Sequence, residues 1–296
     1  MSGISLGLVF SSLTVLFKAG KSISTKIGVT NSNEFVTSWS FRTISFILFG
    51  VTVLFLGRFT VPSSSVFWIA VVFNSLALAT TTILITKAFS ISDISVIAPL
   101  MALVPVVVSI PAWIVLGEVP SSQAGLGLIL VVLGSYLLKI QSGGSTGGFL
   151  APFKRLKDDR GAQYIALMLL IVSVTPTVDK IGLSNSSPLL WVFYLHFGIS
   201  VVLGVCVYLF TSDWSSDVTT NWKIFILIGV FNTGLWTAQI YAYEIMYVAY
   251  VQGIKRASMI ISIIAGSVIF NEENIKNKLV GGICILFGVV LIVIGS

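Results

Sequence analysis

Ten apolar stretches of roughly 20 residues follow one another along the chain. They lie at 3–20, 35–57, 66–87, 94–116, 122–140, 163–180, 189–211, 222–241, 248–270 and 279–295. Coiled as an α-helix, a stretch of that length spans the roughly 30 Å hydrocarbon core of a bilayer. A helix also satisfies its own backbone hydrogen bonds in lipid. The alternating pattern of a membrane barrel is absent, so the spans are expected to be helical. Only 9% of the 296 residues are charged, against about 25% in soluble domains. That is too little charge for an aqueous surface, which excludes a soluble enzyme, a disordered chain and a disulfide scaffold. The net charge of +6 comes mostly from lysines and arginines at the ends of apolar stretches. This placement follows membrane topology and does not point to nucleic acid. Cys206 and Cys284 lie within apolar runs and read as small buried hydrophobes, not as a disulfide or a metal pair. No basic segment precedes the first apolar run, Ile4 to Phe17, which is expected to remain as a span.

One connection is long, 141–162. It opens with a Gly/Ser run at 142–148 and continues through Lys154, Arg155, Lys157, Asp158, Asp159 and Arg160. It lacks the Gly-Lys-Ser/Thr ending of a phosphate loop, so it reads as a linker between a first half, 1–140, and a second, 163–296. The halves repeat at a constant offset of 154 residues. Lys26-Ile27-Gly28 returns as Lys180-Ile181-Gly182, Trp68 as Trp222, Ala88 as Ala242 and Glu118 as Glu272. Gly127 and Gly134 return as Gly281 and Gly288. One offset recurring from the first span to the last marks an internal repeat. Each half holds five spans, an odd number, so the second enters the membrane from the opposite side. The expected fold is an all-α membrane protein, ten transmembrane helices as two inverted five-helix repeats. Inverted repeats place a binding site near the midplane, with access alternating between the two sides.

The ends of the halves resemble those of the drug/metabolite transporter superfamily, EamA-like branch. The resemblance rests on Ala98-Pro99-Leu100 through Gly117-Glu118 to Gly127 and Gly134. It rests also on Gly253 through Ser258, then Asn271-Glu272, to Gly281 and Gly288. It extends over nearly the whole chain, with Asn271 where the pattern usually has Gly. It implies a secondary carrier with no bound cofactor, and it leaves the solute open. The pair Lys255-Arg256 is also similar to one that the related triose-phosphate translocators use on a phosphate group.

Charge inside a bilayer costs about 2.5–3.5 kcal/mol per residue on insertion scales, so intramembrane charges are the best pointers to a site. Arg42 falls about two turns into the second span, and His196 holds the repeat-related place in the seventh. Lys255 and Arg256 lie in the ninth, and Asp179 and Lys180 end the sixth, just after Pro176. Asp179, Lys180, His196, Lys255 and Arg256 fall toward one side, Arg42 and Lys26 toward the other. A cavity reached from both sides would carry an excess positive field that favours a carboxylate or phosphate. Each group also has a structural reading. Adjacent residues diverge by about 100° on a helix, so at most one of Lys255 and Arg256 is expected to face a cavity squarely. The other would snorkel or pair with Glu244 or Asp179. Arg42 could bond a helix C-terminal carbonyl. His196 could be a neutral interior imidazole or a proton-coupling group. Asp179 could pair with Lys180 or Lys255.

Asn232, Trp236, Gln239 and Tyr243 share one face of the eighth span, which is expected to look inward at solute or at another helix. Tyr247 and Tyr250 suit an interfacial belt. Pro99, Pro105 and Pro111 should bend the fourth span. The glycines at 127, 134, 281 and 288 suit close helix packing, within the chain or in a homodimer. Twelve basic residues, Lys18, Lys21 and Lys87 among them, fall in the odd-numbered connections. Arg58 and Lys180 lie opposite. By this bias the linker is cytoplasmic and the termini are outside, the reverse of what the resemblance implies for many members.

The leading expectation is a secondary active transporter of a small anionic metabolite, by exchange or proton coupling, in the cell membrane. Its substrate-contacting set is Lys255, Arg256, Arg42, His196, Trp236, Asn232, Gln239 and Tyr243. Asp179, Lys180 and Lys26 would couple or gate. The partners are the solute and the lipid bilayer, with no nucleic acid. A flippase for a lipid-linked phosphate is the variant, and a membrane scaffold or intramembrane enzyme the rival. For an enzyme the chain offers one histidine, with Ser200 at i+4 within geometric reach, and no His/Glu or paired-Asp motif on a helix face.

Overall fold

In the computed structural model of the protein, residues 3–29, 32–92, 94–142, 156–270 and 275–296 are described. Of these, 3–4, 26–29, 94–95, 98, 139–142, 266–270 and 275–279 are described as backbone alone. Most of the Gly/Ser run, Lys154, Arg155, Asn271, Glu272 and the side chain of Lys26 lie outside the described residues.

The first half contains α1 (Gly3–Val29), α2 (Glu34–Phe55), α3 (Ser65–Ile91), α4 (Ile94–Met101), α5 (Val104–Leu116) and α6 (Ser122–Ser142). The second contains α7 (Arg160–Ser184), α8 (Pro188–Phe210), α9 (Trp214–Ile245), α10 (Val248–Ile254), α11 (Ser258–Phe270) and α12 (Ile275–Gly295). Among the described residues eight stretches are long and apolar enough to cross a membrane, α4–α5 and α10–α11 each counting as one. Helices α6 and α12 are 21 residues each and supply the remaining two spans. The chain is a multi-pass helical membrane protein.

Helix starts follow the local sequence. The side chains of Asn33, Ser64, Asp159 and Ser187 accept from backbone N–H groups in the first turns of α2, α3, α7 and α8. They satisfy donors that a helix end otherwise leaves bare. Helix α5 stops at Gly117, whose φ of 68° is the left-handed conformation glycine adopts without a Cβ penalty. Two helices run further than apolarity predicts. Helix α9 begins at Trp214, and α1 continues to Val29 because Ser22 to Thr25 contain no helix breaker. Lys18 and Lys21 therefore lie inside a span and not in a connection. This corrects the charge count above and bears on the site.

The fourth and ninth spans break at repeat-related positions. Helix α4 ends at Met101 and α5 begins at Val104. In the second half α10 ends at Ile254, a 3-10 turn covers Lys255–Ala257, and α11 begins at Ser258. Three proline bends were expected in the fourth span. The structure concentrates the irregularity at Ala102 and Leu103, and Pro105 falls in the first turn of α5, where a missing N–H costs nothing. The ninth span was expected to be continuous. Its break carries no proline and coincides with Lys255 and Arg256, whose side chains are held elsewhere.

Helices α1, α9 and α11 pack into one wall, and α3, α4, α5 and α7 into another. The repeat exchanges these walls. Helix α6 packs along α12, and there the spaced glycines meet each other. A Cβ on Gly134 would come within 2.6 Å of the Gly281 carbonyl, and one on Gly127 equally close to that of Gly288. The glycine faces of the fifth and tenth spans are thus spent on each other within one chain. Replacing Gly134 by valine should destabilise the protein by about 1–3 kcal/mol, as overpacking does. It would appear as a lowered Tm in detergent. Gly125→Ala, where nothing lies within 4 Å, serves as the silent control.

Candidate functional site

Between the two walls lies a cavity of about 830 Å³, within the range of small-molecule sites. Five cationic side chains line it: Lys18 and Lys21 of α1, Arg42 of α2, and Lys255 and Arg256 of the 3-10 turn. Asp179 of α7 is the acidic side chain in that lining. The long first helix sets Lys18 and Lys21 one turn apart on a single face. Lys255 and Arg256 both border the cavity although adjacent residues of a 3-10 turn diverge by about 120°. Their long side chains run to different helices, Lys255 to Gln239 of α9 and Arg256 to the Met101 carbonyl at the end of α4.

Each cation has limited protein support. Lys21 donates to Asn232 Oδ1 at 2.8 Å and lies 4.1 Å from the centre of the Phe41 ring. Lys255 donates to Gln239 Oε1 at 2.8 Å. Arg256 reaches across to donate to the Met101 carbonyl at 3.2 Å, at the end of α4, while its Nε is buried with no hydrogen-bond partner. Among the described residues Lys18 makes no side-chain hydrogen bond. Arg42 stacks over Trp236, with its guanidinium carbon 5.5 Å from the ring centre. These are neutral amides, rings and a carbonyl, so the positive charge is cradled without being cancelled.

His196 stands behind this lining, fully buried. Its Nδ1 lies 2.9 Å from the Val192 carbonyl, which can only accept, so the proton sits on Nδ1. Its Nε2 then faces donors, Asn232 Nδ2 at 3.3 Å and Arg42 at 3.5 Å. This hydrogen-bond pattern is that of a neutral imidazole, and it links Lys21, Asn232, His196 and Arg42 in one chain. Asn232 Nδ2 also donates to Ser45 Oγ at 2.9 Å. Ser200 Oγ, the nucleophile considered for an enzyme, is buried with no hydrogen-bond partner and makes no dyad with His196. The structure holds Asp179 by Asn74 at 2.8 Å and Trp191 at 3.0 Å, both onto Oδ1, in place of the expected bridge to Lys180 or Lys255.

Lys180 instead pairs with Glu118, which follows α5. The other Glu118 oxygen accepts from the Val248 backbone N–H at 2.6 Å, the first residue of α10, and Lys180 also donates to the Met246 carbonyl at 2.9 Å. One buried carboxylate thus ties α5, α7 and the start of α10 together on the side of the chain termini. The cavity lining continues the other way, to Ile23, Ile85, Met168 and Ile263 toward the linker side.

The predicted residues divide in three. Lys255, Arg256, Arg42, Trp236, Gln239 and Asp179 line the cavity. Asn232, His196 and Tyr243 back it, the last accepting from the lining residue Gln252 at 2.5 Å. Lys180 belongs to the closure at the terminus side. Glu244 is exposed and not a partner for Lys255. Tyr250, expected in an interfacial belt, is buried, and its hydroxyl accepts from the Ser121 N–H at 3.1 Å. Sequence reasoning missed Lys18 and Lys21. Their signal was a lysine pair one helical turn apart, followed by polar residues that a helix tolerates.

No curated protein matches the chain. A solved structure described only as "Crystal structure of protein" superposes with a TM-score of 0.75 at 15% identity, covering 97% of this chain and 96% of that one. At that identity the likeness establishes the shared fold. The model of the EamA-like transporter family matches twice, over residues 5–140 and 159–294. With both repeats matched end to end, the chain belongs to the EamA-like transporter family.

Proposed function

We propose that this membrane transporter carries a small organic anion by alternating access. The observation that carries the reading is the charge balance of the cavity: five cations against one carboxylate. Cations in a low-dielectric space that lack an acidic partner are costly to hold. An anionic solute supplies the missing charge. Lys255 and Arg256 border the cavity, and guanidinium and ammonium groups bind carboxylate or phosphate oxygens by charge-assisted hydrogen bonds. Trp236 offers a face beside Arg42. In this reading Asp179 partly offsets the cations of the empty carrier and is the coupling group. His196 and Asn232 act as positioning residues for Arg42 and Lys21.

The cavity's reach toward the linker side and the Glu118–Lys180–Val248 closure toward the termini describe one end state of the cycle. The two breaks in the fourth and ninth spans are the hinges. The positive bias of the connections, which remains once Lys18 and Lys21 are counted inside the first span, supports a cytoplasmic linker in a cell-membrane protein, an orientation in which the cavity here faces inward. Lys26, at the repeat-related place to Lys180, is assigned to gating on the linker side on sequence grounds.

Two outcomes test this reading. In proteoliposomes, Lys255→Gln/Arg256→Gln should lower anion exchange at least about tenfold while leaving Tm near that of the parent, since charge-assisted hydrogen bonds contribute about 1.5–3 kcal/mol each. Exchange at the parental rate would remove the anion site from this turn. Glu118→Gln leaves Lys180 without its partner and weakens the terminus-side closure. A thiol reagent applied from that side should then label a Gln252→Cys reporter at least about tenfold faster, since breaking a buried pair costs about 3–5 kcal/mol and a tenfold change needs only about 1.4 kcal/mol. Equal labelling rates with and without Glu118→Gln would contradict the latch.

A further inference from the structure

We propose that the solute is amphipathic: an acidic head on an apolar body, and not a compact hydrophilic anion. The inference rests on the transport reading above and names the solute class of the same cavity. Its source is an asymmetry between the two walls. The 154-residue repeat maps the wall of α1, α9 and α10–α11 onto that of α7, α3 and α4–α5. Repeat-related positions border the cavity in pairs, so the backbone offers the same places twice. The side chains placed there differ in kind. Lys18 faces the cavity on one wall and its mate Val172 does so on the other. Gln239 is matched by Ile85, and Lys255 by Met101. Ser258 and Ser262 are matched by Val104 and Val108. Ser22 is matched by Pro176, so polarity falls on the first wall in all six of these pairs. Only Lys21 and Thr175 are polar on both sides, and Asp179 is the charged member of the second wall.

One wall therefore offers ammonium, guanidinium, amide and hydroxyl groups, and the facing wall offers methyl and thioether surface. A hydrated inorganic anion would satisfy the first and leave the second wetted. Apolar surface facing water gains free energy when covered, roughly in proportion to its area. Only a solute carrying both kinds of surface engages both walls together. The volume of about 830 Å³ accommodates a head and a ring-sized or short-chain body. Trp236, on the polar wall next to Arg42, adds a flat surface at the junction. The same chemistry could reach the cavity as a free aryl or alkyl acid from water or as a lipid phosphate from the bilayer. We assign the water-soluble source, because the lining continues toward the linker side between α1, α3, α7 and α11.

The test is competition binding to the full chain in nanodiscs, read by intrinsic tryptophan fluorescence and by Tm. The probes are phenyl phosphate, inorganic phosphate, benzyl alcohol and a long-chain phosphatidate supplied in the disc. Phenyl phosphate is expected to bind about tenfold or more tightly than inorganic phosphate, since even one methylene in an apolar pocket can be worth that much. Val172→Thr, nearly equal in volume, should shrink that ratio and leave inorganic phosphate unaffected. Lys255→Gln should weaken both phosphates alike. Equal affinity for the two phosphates would overturn the amphipathic inference and leave the anion reading standing. Benzyl alcohol binding as tightly as phenyl phosphate would overturn the anion reading itself. Competition by phosphatidate alone, with no effect of phenyl phosphate, would overturn the water-soluble assignment.

Discussion

Five positive charges share one cavity inside a bundle of apolar helices, and one carboxylate in its lining offsets them. Much of the surrounding structure follows from holding that charge. Amides at Asn232 and Gln239, the rings of Phe41 and Trp236 and the end carbonyl of α4 stabilise cations without neutralising them. His196 serves the same end from behind, its lone pair turned toward Arg42 and Asn232. The ion pair of Lys180 with Glu118 lies outside the cavity, on the terminus side. In the proposed reading the chain separates charges that hold helices together from charges left for a solute.

The repeat supplies the frame on which this separation is built. Two five-helix halves give paired walls, paired helix breaks and a mutual glycine seam between α6 and α12. Symmetry of that kind suits a molecule that must close first one side and then the other. Side chains are under no such requirement. The cations have gone to α1, α2 and the ninth span, where the repeat-related places hold Val172, His196 and Met101. A symmetric backbone with an asymmetric lining can change its access while keeping one orientation of solute.

The fold was almost wholly legible in the sequence, because the bilayer sets span length and an odd number of spans in each of two repeats forces the inversion. The site was legible where charge stood in the middle of an apolar run, as at Arg42, Lys255 and Arg256. It was not legible at Lys18 and Lys21, because apolarity marks where lipid contact ends and not where the helix ends. Helix α1 continues to Val29 after its apolar stretch has closed. Periodicity expected at most one of Lys255 and Arg256 at the cavity, but both border it, because long side chains bonded to α9 and to the end of α4 reach it from different directions. That Trp236 and Gln239 face the cavity while Asn232, His196 and Tyr243 back it depends on packing between helices far apart in sequence. No spacing within one span encodes that.

A crystal of the protein soaked with para-iodobenzoate tests the central claim most directly, through the anomalous signal of iodine. The account predicts one strong peak in the central cavity, against the wall of α3, α4–α5 and α7, with the carboxylate turned to Lys255, Arg256 and Lys18. A cavity without a peak at saturating ligand, or a peak whose carboxylate points away from those cations, would contradict it.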